Sequence, residues 1–430
     1  MDKFKPDTEE SGSSIESRSV TDDELIIDEE NDEIIGVMLQ RSLVFIFALA
    51  VVGVLAYVYV IRETDQEIAI TQTERKEVQA RNLGEGEGGD IAPIPKMTFT
   101  DITQLSGLEF EHENGARGEK LLPETMGGGC AFLDYDNDGD QDILLINSKS
   151  WEDLEPEMLG PTSKLYQNDG QGKYTDVSEQ TGLDIELYGM GCAVADYDND
   201  GNVDIFISAL GGNRLLRNDN GVFVDRTEIA GLSGGSKNWS TSCTWFDMEN
   251  DGDLDLFVCS YITWSKEIDI SQGFSLVGVG GAYGPPTSFG GSFSQLYENN
   301  GDGTFGDISQ QAGIQITNKD HEGVAVGKSL GVIPVDVNLD GYLDLVVSND
   351  TVRNFMFINQ GDQTFEESGV LAGIAFDPNG NARGAMGIDA ANFRNDECLG
   401  IGIGNFANEM SALYVLSHKH IRRCRRIERC

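Results

Sequence analysis

The chain has 430 residues, of which 73 are Asp or Glu and 30 are Lys or Arg, for a formal charge of −43. That balance excludes a nucleic-acid binder, since phosphate recognition needs a basic footprint. It leaves an acidic tail, a halophile-type surface or a cation binder, and 52 glycines beside 10 prolines suit a β-rich fold with many tight turns.

Residues 1–41 are acidic and polar, with Lys3, Lys5, Arg18 and Arg41 as their only basic side chains. Runs such as Asp22-Asp23-Glu24 cannot bury enough surface to fold, so this segment is expected to be a disordered tail. Ser42 to Ile61 is uncharged and strongly apolar between Arg41 and Arg62. At about 1.5 Å per residue it is long enough to cross a hydrocarbon core, and Tyr57 and Tyr59 suit the interface. A transmembrane helix over 42–61, acting as a signal-anchor, is therefore expected, with the membrane as a partner. A cleavable signal peptide would need a short basic lead, which the long acidic tail does not supply.

Residues 62–96 read as a charged stalk followed by the Gly84–Gly89 linker and Pro93 and Pro95. Two signals for orientation conflict. Arg62, Arg75, Lys76 and Arg81 against Arg41 favour an inward C-terminal flank, whereas the calcium chemistry below favours an outward one. Large domains translocate largely regardless of charge, so the expectation is a single-pass protein whose main domain lies outside the cytoplasm, at the cell surface or in the periplasm.

Residues 97–417 repeat. One half-unit reads Leu165-Tyr166-Gln167-Asn168, continues through Tyr174-Thr175-Asp176-Val177-Ser178 and ends at Gly182-Leu183. It recurs from Leu215, Leu296 and Met356, and an opening copy lacking its first strand runs from Phe99 to Leu108. The other half-unit is a Gly-rich strand, an acidic loop and a short apolar run such as Ile205 to Ile207 or Leu345 to Val347. These runs are too short for helices and rich in β-branched residues, so each reads as a buried strand. Short strands recurring about every 50–60 residues suit propeller blades; a solenoid is the alternative.

The first acidic loop places Asp134, Asp136, Asp138 and Asp142 at positions 1, 3, 5 and 9 around Gly139 at position 6. Calcium takes six to eight oxygens at about 2.3–2.6 Å, and alternating carboxylates on a turned loop can converge on one ion. Position 7 adds a carbonyl oxygen, from Asp140 here. The second loop offers Asp196, Asp198, Asp200, Asn202 and Asp204, and the third Asp247, Glu249, Asp251, Asp253 and Asp255. The fourth offers Asp336, Asn338, Asp340, Tyr342 and Asp344. EF-hands are excluded because position 12 is Leu145, Ile207, Val258 or Val347 instead of a bidentate Glu. Asp, Asn and Gly also build metal-free turns, but four such loops in register crowd acids that would repel without a cation. About four Ca2+ sites are expected.

These loops resemble the calcium loops of FG-GAP repeats in integrin α-subunit propellers, and Leu296–Phe305 resembles a VCBS repeat. Tyr283-Gly284-Pro285-Pro286 and Gly404-Asn405-Phe406-Ala407-Asn408-Glu409 are similar to phrases of the cartilage acidic protein and UnbV-like (ASPIC) family. The resemblance covers residues 98–414. It implies an all-β fold, a seven-bladed β-propeller used for extracellular or cell-surface binding, with no established catalytic role.

The sequence departs from that pattern twice. A fifth loop, read from Asp389 through Asn395, lacks the acids and the glycine and is expected to hold no calcium. Beyond Tyr414 the repeat breaks: Leu416 stands where Asn168, Asn218, Asn299 and Asn359 stand in earlier copies, and a basic tail with two cysteines fills 418–430. That end is either a truncated or frameshifted terminus or a basic interaction tail. The ring is expected to be incomplete, with strand edges open to another chain.

Cys130, Cys192 and Cys243 each lie four residues before a loop's first Asp and are expected on buried inner strands, while the redox compartment stays open. The four histidines form no nucleophile motif, the Gly273–Gly291 stretch has no phosphate-cradle pattern, and Asn238 and Asn349 head glycosylation sequons. The expected function is a calcium-stabilised, membrane-anchored binding or adhesion module for a protein or glycan. A hydrolase-like enzyme using loop carboxylates and a purely structural spacer are the alternatives. The enzyme is disfavoured because the motif already commits those carboxylates to the metal.

Overall fold

The computed structural model describes residues 98–416 apart from 152–161, 236, 279, 319–320, 322 and 394–397, together with 428–429 and positions 38, 41, 44, 50 and 51. Met1–Glu87 and Gly88–Cys430 are two separate units. In the first, the few described positions are helical and exposed, so the tail, span and stalk expected there lie outside the described residues. Among the described residues no helix is long and apolar enough to cross a membrane.

The second unit is an all-β propeller of five four-stranded antiparallel blades. Blade one comprises β1 (Cys130–Leu133), β2 (Asp142–Leu145), β3 (Lys164–Asn168) and β4 (Tyr174–Asp176). Blade two comprises β5 (Tyr188–Ala195), β6 (Asp204–Leu210), β7 (Arg214–Asn218) and β8 (Phe223–Asp225). Blade three takes β9 (Ser240–Phe246) and β10 (Asp255–Ser260). An insertion with the hairpin β11 (Ser275–Leu276) and β12 (Gly280–Gly281) follows, and β13 (Gln295–Asn299) and β14 (Phe305–Asp307) complete the blade. Blade four runs β15 (Ser329–Val335), β16 (Asp344–Asn349), β17 (Phe355–Asn359) and β18 (Phe365–Glu367). Blade five runs β19 (Ala385–Ala391), β20 (Gly400–Asn405), β21 (Ala412–Val415) and β22 (Glu428–Arg429).

The apolar runs read as buried strands are the second strands, and every residue of β10 and β16 is buried. A strand apolar on both faces is stable only between two layers, and each blade lies against the next. Separate apolar cores fill the four junctions; Phe257 and Leu296 of blade three, for example, meet Leu345 and Phe357 of blade four. Burying side chains of this size is worth about 1.5–3 kcal/mol each. The innermost strands pack in chain order, β1 on β5, β5 on β9, β9 on β15 and β15 on β19. Among the described residues no apolar core joins blade five to blade one.

The half-unit phrase is a strand followed by one helical turn: α1 (Thr103–Ser106), α2 (Ser178–Thr181), α3 (Thr227–Ala230) and α5 (Gly369–Ala372), with α4 (Lys266–Gln272) in the insertion. Asp176 holds the turn by accepting the Ser178 N–H at 3.0 Å, while the Ser178 hydroxyl accepts the N–H of Leu165. Gly107, Gly182, Gly231, Gly313 and Gly373 follow the phrase's turn at φ of 77–83°, a left-handed conformation that a side chain disfavours.

The family resemblance implies seven blades and the sequence an incomplete ring; the described residues form five blades. Three expectations are corrected. Cys130, Cys192 and Cys243 do share one register, opposite Leu145, Ile207 and Val258, but only Cys243 is buried. Cys130 is exposed because β1 has a neighbouring blade on one side only. The tail beyond the pattern contributes β22, which pairs with Tyr414 and Val415, since an open edge accepts any extended backbone. Lastly, the Asn349 sequon is unusable: its side chain is fully buried and donates to the Arg353 carbonyl.

Candidate metal centre

Each acidic loop joins the first strand of a blade to the second, and the four acidic loops are wired alike. The position 1 carboxylate accepts the N–H groups of positions 5 and 6, at 2.9 and 2.8 Å for Asp196. The position 5 carboxylate accepts the N–H of position 7 at 2.9 Å in all four loops. Position 9 is the anchor. Asp142, Asp204, Asp255 and Asp344 are buried, and each accepts one N–H from position 2 and one from the third-strand Asn. The glycine at position 6, with φ between 91° and 96°, allows the chain to reverse.

This wiring brings carboxylates 1, 3 and 9 together. In Asp134–Asp136–Asp142, Asp196–Asp198–Asp204 and Asp247–Glu249–Asp255, one oxygen from each member lies within 4.8 Å of the others. In all three loops one oxygen of the position 3 side chain is buried without a partner: Asp136 Oδ1, Asp198 Oδ1 and Glu249 Oε2. A buried anionic oxygen without a donor is strongly unfavourable, and a cation removes that penalty. Burial, reinforced by neighbouring carboxylates, pushes Asp204 and Asp344 up to about 7 and raises Asp142, Asp198, Glu249 and Asp255. Metal charge would reverse that shift and hold the groups ionised. These three loops therefore fit a hard divalent ion that takes carboxylate and carbonyl oxygens.

The remaining expected ligands also make hydrogen bonds within and between the loops. Asp138, Asp200, Asp251 and Asp340 brace the turn through the N–H of position 7. The side chains of Asn202 and Asp253 at position 7 accept from Asn137 and Asn199 of the preceding loop, both at 3.0 Å. In the fourth loop the amide of Asn338 donates to Asp340 at 2.8 Å, and among the described residues Asp336 and Asp344 belong to no group of three acidic ligands. The fifth loop begins three residues later than its sequence suggests. Strand β19 continues through Asp389, and Ala391 pairs with Gly400 as Ala195 pairs with Asp204. Position 9 of that loop is therefore Gly400, which has no carboxylate.

The sequence reading missed the links between loops. Asn137, Asn199 and Asn250 at position 4 reach the position 6 carbonyl of the next loop. In return Asn218, Asn299 and Asn359 donate to the position 2 carbonyl of the previous loop at 2.8–3.0 Å. Their signal was a repeated Asn at a fixed place in strand three and in the loop.

Five blades, each with its loop in the same place, define a repeat propeller, and comparison with known proteins names the repeat. The family model of the FG-GAP-like repeat matches residues 134–207 and 196–258. Residues 134–258 carry FG-GAP-like repeats, and part of the chain is similar to a cartilage acidic protein. Cartilage acidic protein 1 of Xenopus tropicalis is 28% identical over 174 residues, which cover 39% of this chain and 25% of that protein. Among solved structures, an Agrocybe aegerita lectin that recognises non-reducing terminal N-acetylglucosamine is 15% identical, with a TM-score of 0.36 over 67% of this chain and 62% of that one. The Vibrio cholerae (V. cholerae) biofilm matrix protein Bap1 is also 15% identical, with a TM-score of 0.35 over 68% of this chain and 38% of that one.

Proposed function

We propose that this protein is a calcium-stabilised, membrane-anchored binding module whose propeller stands outside the cytoplasm and engages a protein or a glycan. The observation that carries the reading is the partnerless buried oxygen at position 3, repeated in three loops with identical wiring. Calcium would be held by carboxylates 1, 3 and 9 with the position 7 carbonyl, and it would supply charge and rigidity. Modest-affinity sites of this kind, at about 10⁻⁴–10⁻³ M, fill outside the cell and stay empty in the cytosol. The uncharged run from Ser42 to Ile61 supports the anchor.

Binding is favoured over catalysis because positions 1, 5 and 9 already accept backbone amides, and position 3 would be taken up by the ion. The test uses the full-length chain in detergent, assayed for metal content and then applied to a glycan array and a membrane-protein pull-down, with calcium and with chelator. Bound calcium and calcium-dependent capture of one ligand class are expected. A chain that purifies without calcium and takes up none would end the reading.

A further inference from the structure

The phrase Gly404-Asn405-Phe406-Ala407-Asn408-Glu409 has no part in the acidic loops. It forms the turn from β20 to β21, at the end of blade five opposite the loop that joins β19 to β20. Beside it runs the connector from blade four. Residues 183–187 carry the chain from the glycine after α2 to β5, whereas 374–384 make the same crossing between α5 and β19. The longer connector lies against the phrase, with the Phe406 N–H on the Gly384 carbonyl at 2.7 Å. The two loops border a depression of about 280 Å³ lined by Asp377, Asn381, Arg383, Asn408, Glu409 and Met410.

Hydrogen bonds fix these walls and leave several groups over. Asp377 Oδ1 accepts the N–H groups of Asn379 and Asn381 at 2.8 and 2.9 Å, and its Oδ2 accepts from Arg383 at 3.2 Å. Arg383 also donates to the Met410 carbonyl at 3.0 Å, which the Asn405 amide reaches at 2.6 Å. Glu409 Oε2 accepts the Gly384 N–H at 2.9 Å. The exposed carboxamides of Asn381 and Asn408 and the second oxygen of Glu409 have no hydrogen-bond partner among the described residues. Because the walls are pinned in advance, little ordering entropy is lost when a ligand enters.

The free groups select a class of ligand. Asp377 matches the charge of Arg383, and Glu409 then leaves the depression negative on a chain of −43, which disfavours an anion. Carboxamides and a carboxylate oxygen offer donors and acceptors side by side, and a hydroxyl, with one donor and two acceptor sites, answers both. Met410, 76% exposed, adds an apolar wall for C–H groups. A protein interface instead has a core depleted of charge and spreads over about 800 Å² per partner. Pockets for drug-sized ligands begin at about 300 Å³, so this one suits a single ring of a longer chain. We infer that the depression binds an uncharged glycan, with the hydroxyls of one sugar ring held between the Asn381 and Asn408 carboxamides and Glu409. This rests on the reading of the protein as a binding module and assigns that module a place and a ligand class.

The test uses the full-length chain, loaded with calcium, in a detergent without a sugar headgroup. It is applied to an array of uncharged hexose and N-acetylhexosamine oligosaccharides beside sialylated and sulfated ones. Capture of uncharged probes is expected. The double variant Asn381→Ala/Asn408→Gly should weaken the captured oligosaccharide about tenfold in calorimetry, with melting temperature and bound calcium unchanged. Neither side chain holds the fold, and Asn408 sits at φ 69°, which glycine adopts freely. Capture of sialylated or sulfated probes alone would overturn the inference, as would uncharged capture that the double variant leaves intact. So would a calcium-loaded chain that captures no saccharide. If that chain still captures a protein, the binding-module reading stands without this site.

Discussion

Loops two and five occupy the same place in their blades and share almost nothing else. In loop two Asp204 is buried, accepts two N–H groups at 3.1 and 2.7 Å, and turns toward Asp196 and Asp198. In loop five the corresponding residue is Gly400, where a Cβ would come within 2.4 Å of the Phe393 ring. An aromatic ring has taken the space that a carboxylate holds elsewhere. Loop four lies between them, with acids at positions 1, 5 and 9 but Asn338 at position 3. The blades tolerate all three versions because strand pairing and inter-blade packing carry the fold, while the loop decides only whether an ion adds to it.

The contrast can be broken most directly by removing the ion. Each site held at 100 times its Kd adds about 2.7 kcal/mol, so three sites add about 8 kcal/mol. Chelation should lower the melting temperature by roughly 12 °C, read by differential scanning fluorimetry of the full chain in detergent. An unchanged melt would mean that loops one to three are ordinary turns like loop five.

A single substitution compares the two loops more closely. Asp204→Ala strips the acceptor from two buried N–H groups and should cost about 3 kcal/mol and one bound ion. Asp389→Ala, in an exposed strand position, should stay within about 0.5 kcal/mol and leave the ion count unchanged. Chemical denaturation beside metal analysis measures both.

Loop four sharpens the comparison. Asn338→Asp supplies the missing position 3 carboxylate and should tighten the fourth site about tenfold, visible in a competitive calcium titration. No change would show that position 3 is not what separates loop four from its neighbours.

The smallest effect concerns the links between loops. Asn199 donates to the Gly252 carbonyl and to Asp253 from a backbone at φ 57°, so Asn199→Gly removes the side chain without straining the turn. A loss of less than about 1 kcal/mol is expected, together with weaker coupling between the second and third ions in calorimetry.

The sequence by itself determined the repeat, the strands and the place of every acidic loop. Strand alternation, the short apolar runs and the glycine at position 6 are local signals, and they survive in any context that buries the strands. It named the carboxylates at positions 1, 3, 5 and 9 alike, because spacing on a tight turn limits which side chains can converge but does not rank them. Tertiary structure decided what spacing cannot express. Position 5 braces the turn, since its oxygen lies nearest the N–H of position 7. Asn137 and Asn199 join loops 64 and 53 residues ahead of them, through the Gly201 and Gly252 carbonyls. Cys130 and Cys243 have the same register and opposite burial, and Phe99 and Phe223 begin the same phrase but only one is covered. The reason is physical. In a repeat array each unit's environment is its neighbour, so identical residues differ in burial according to whether a blade stands beside them.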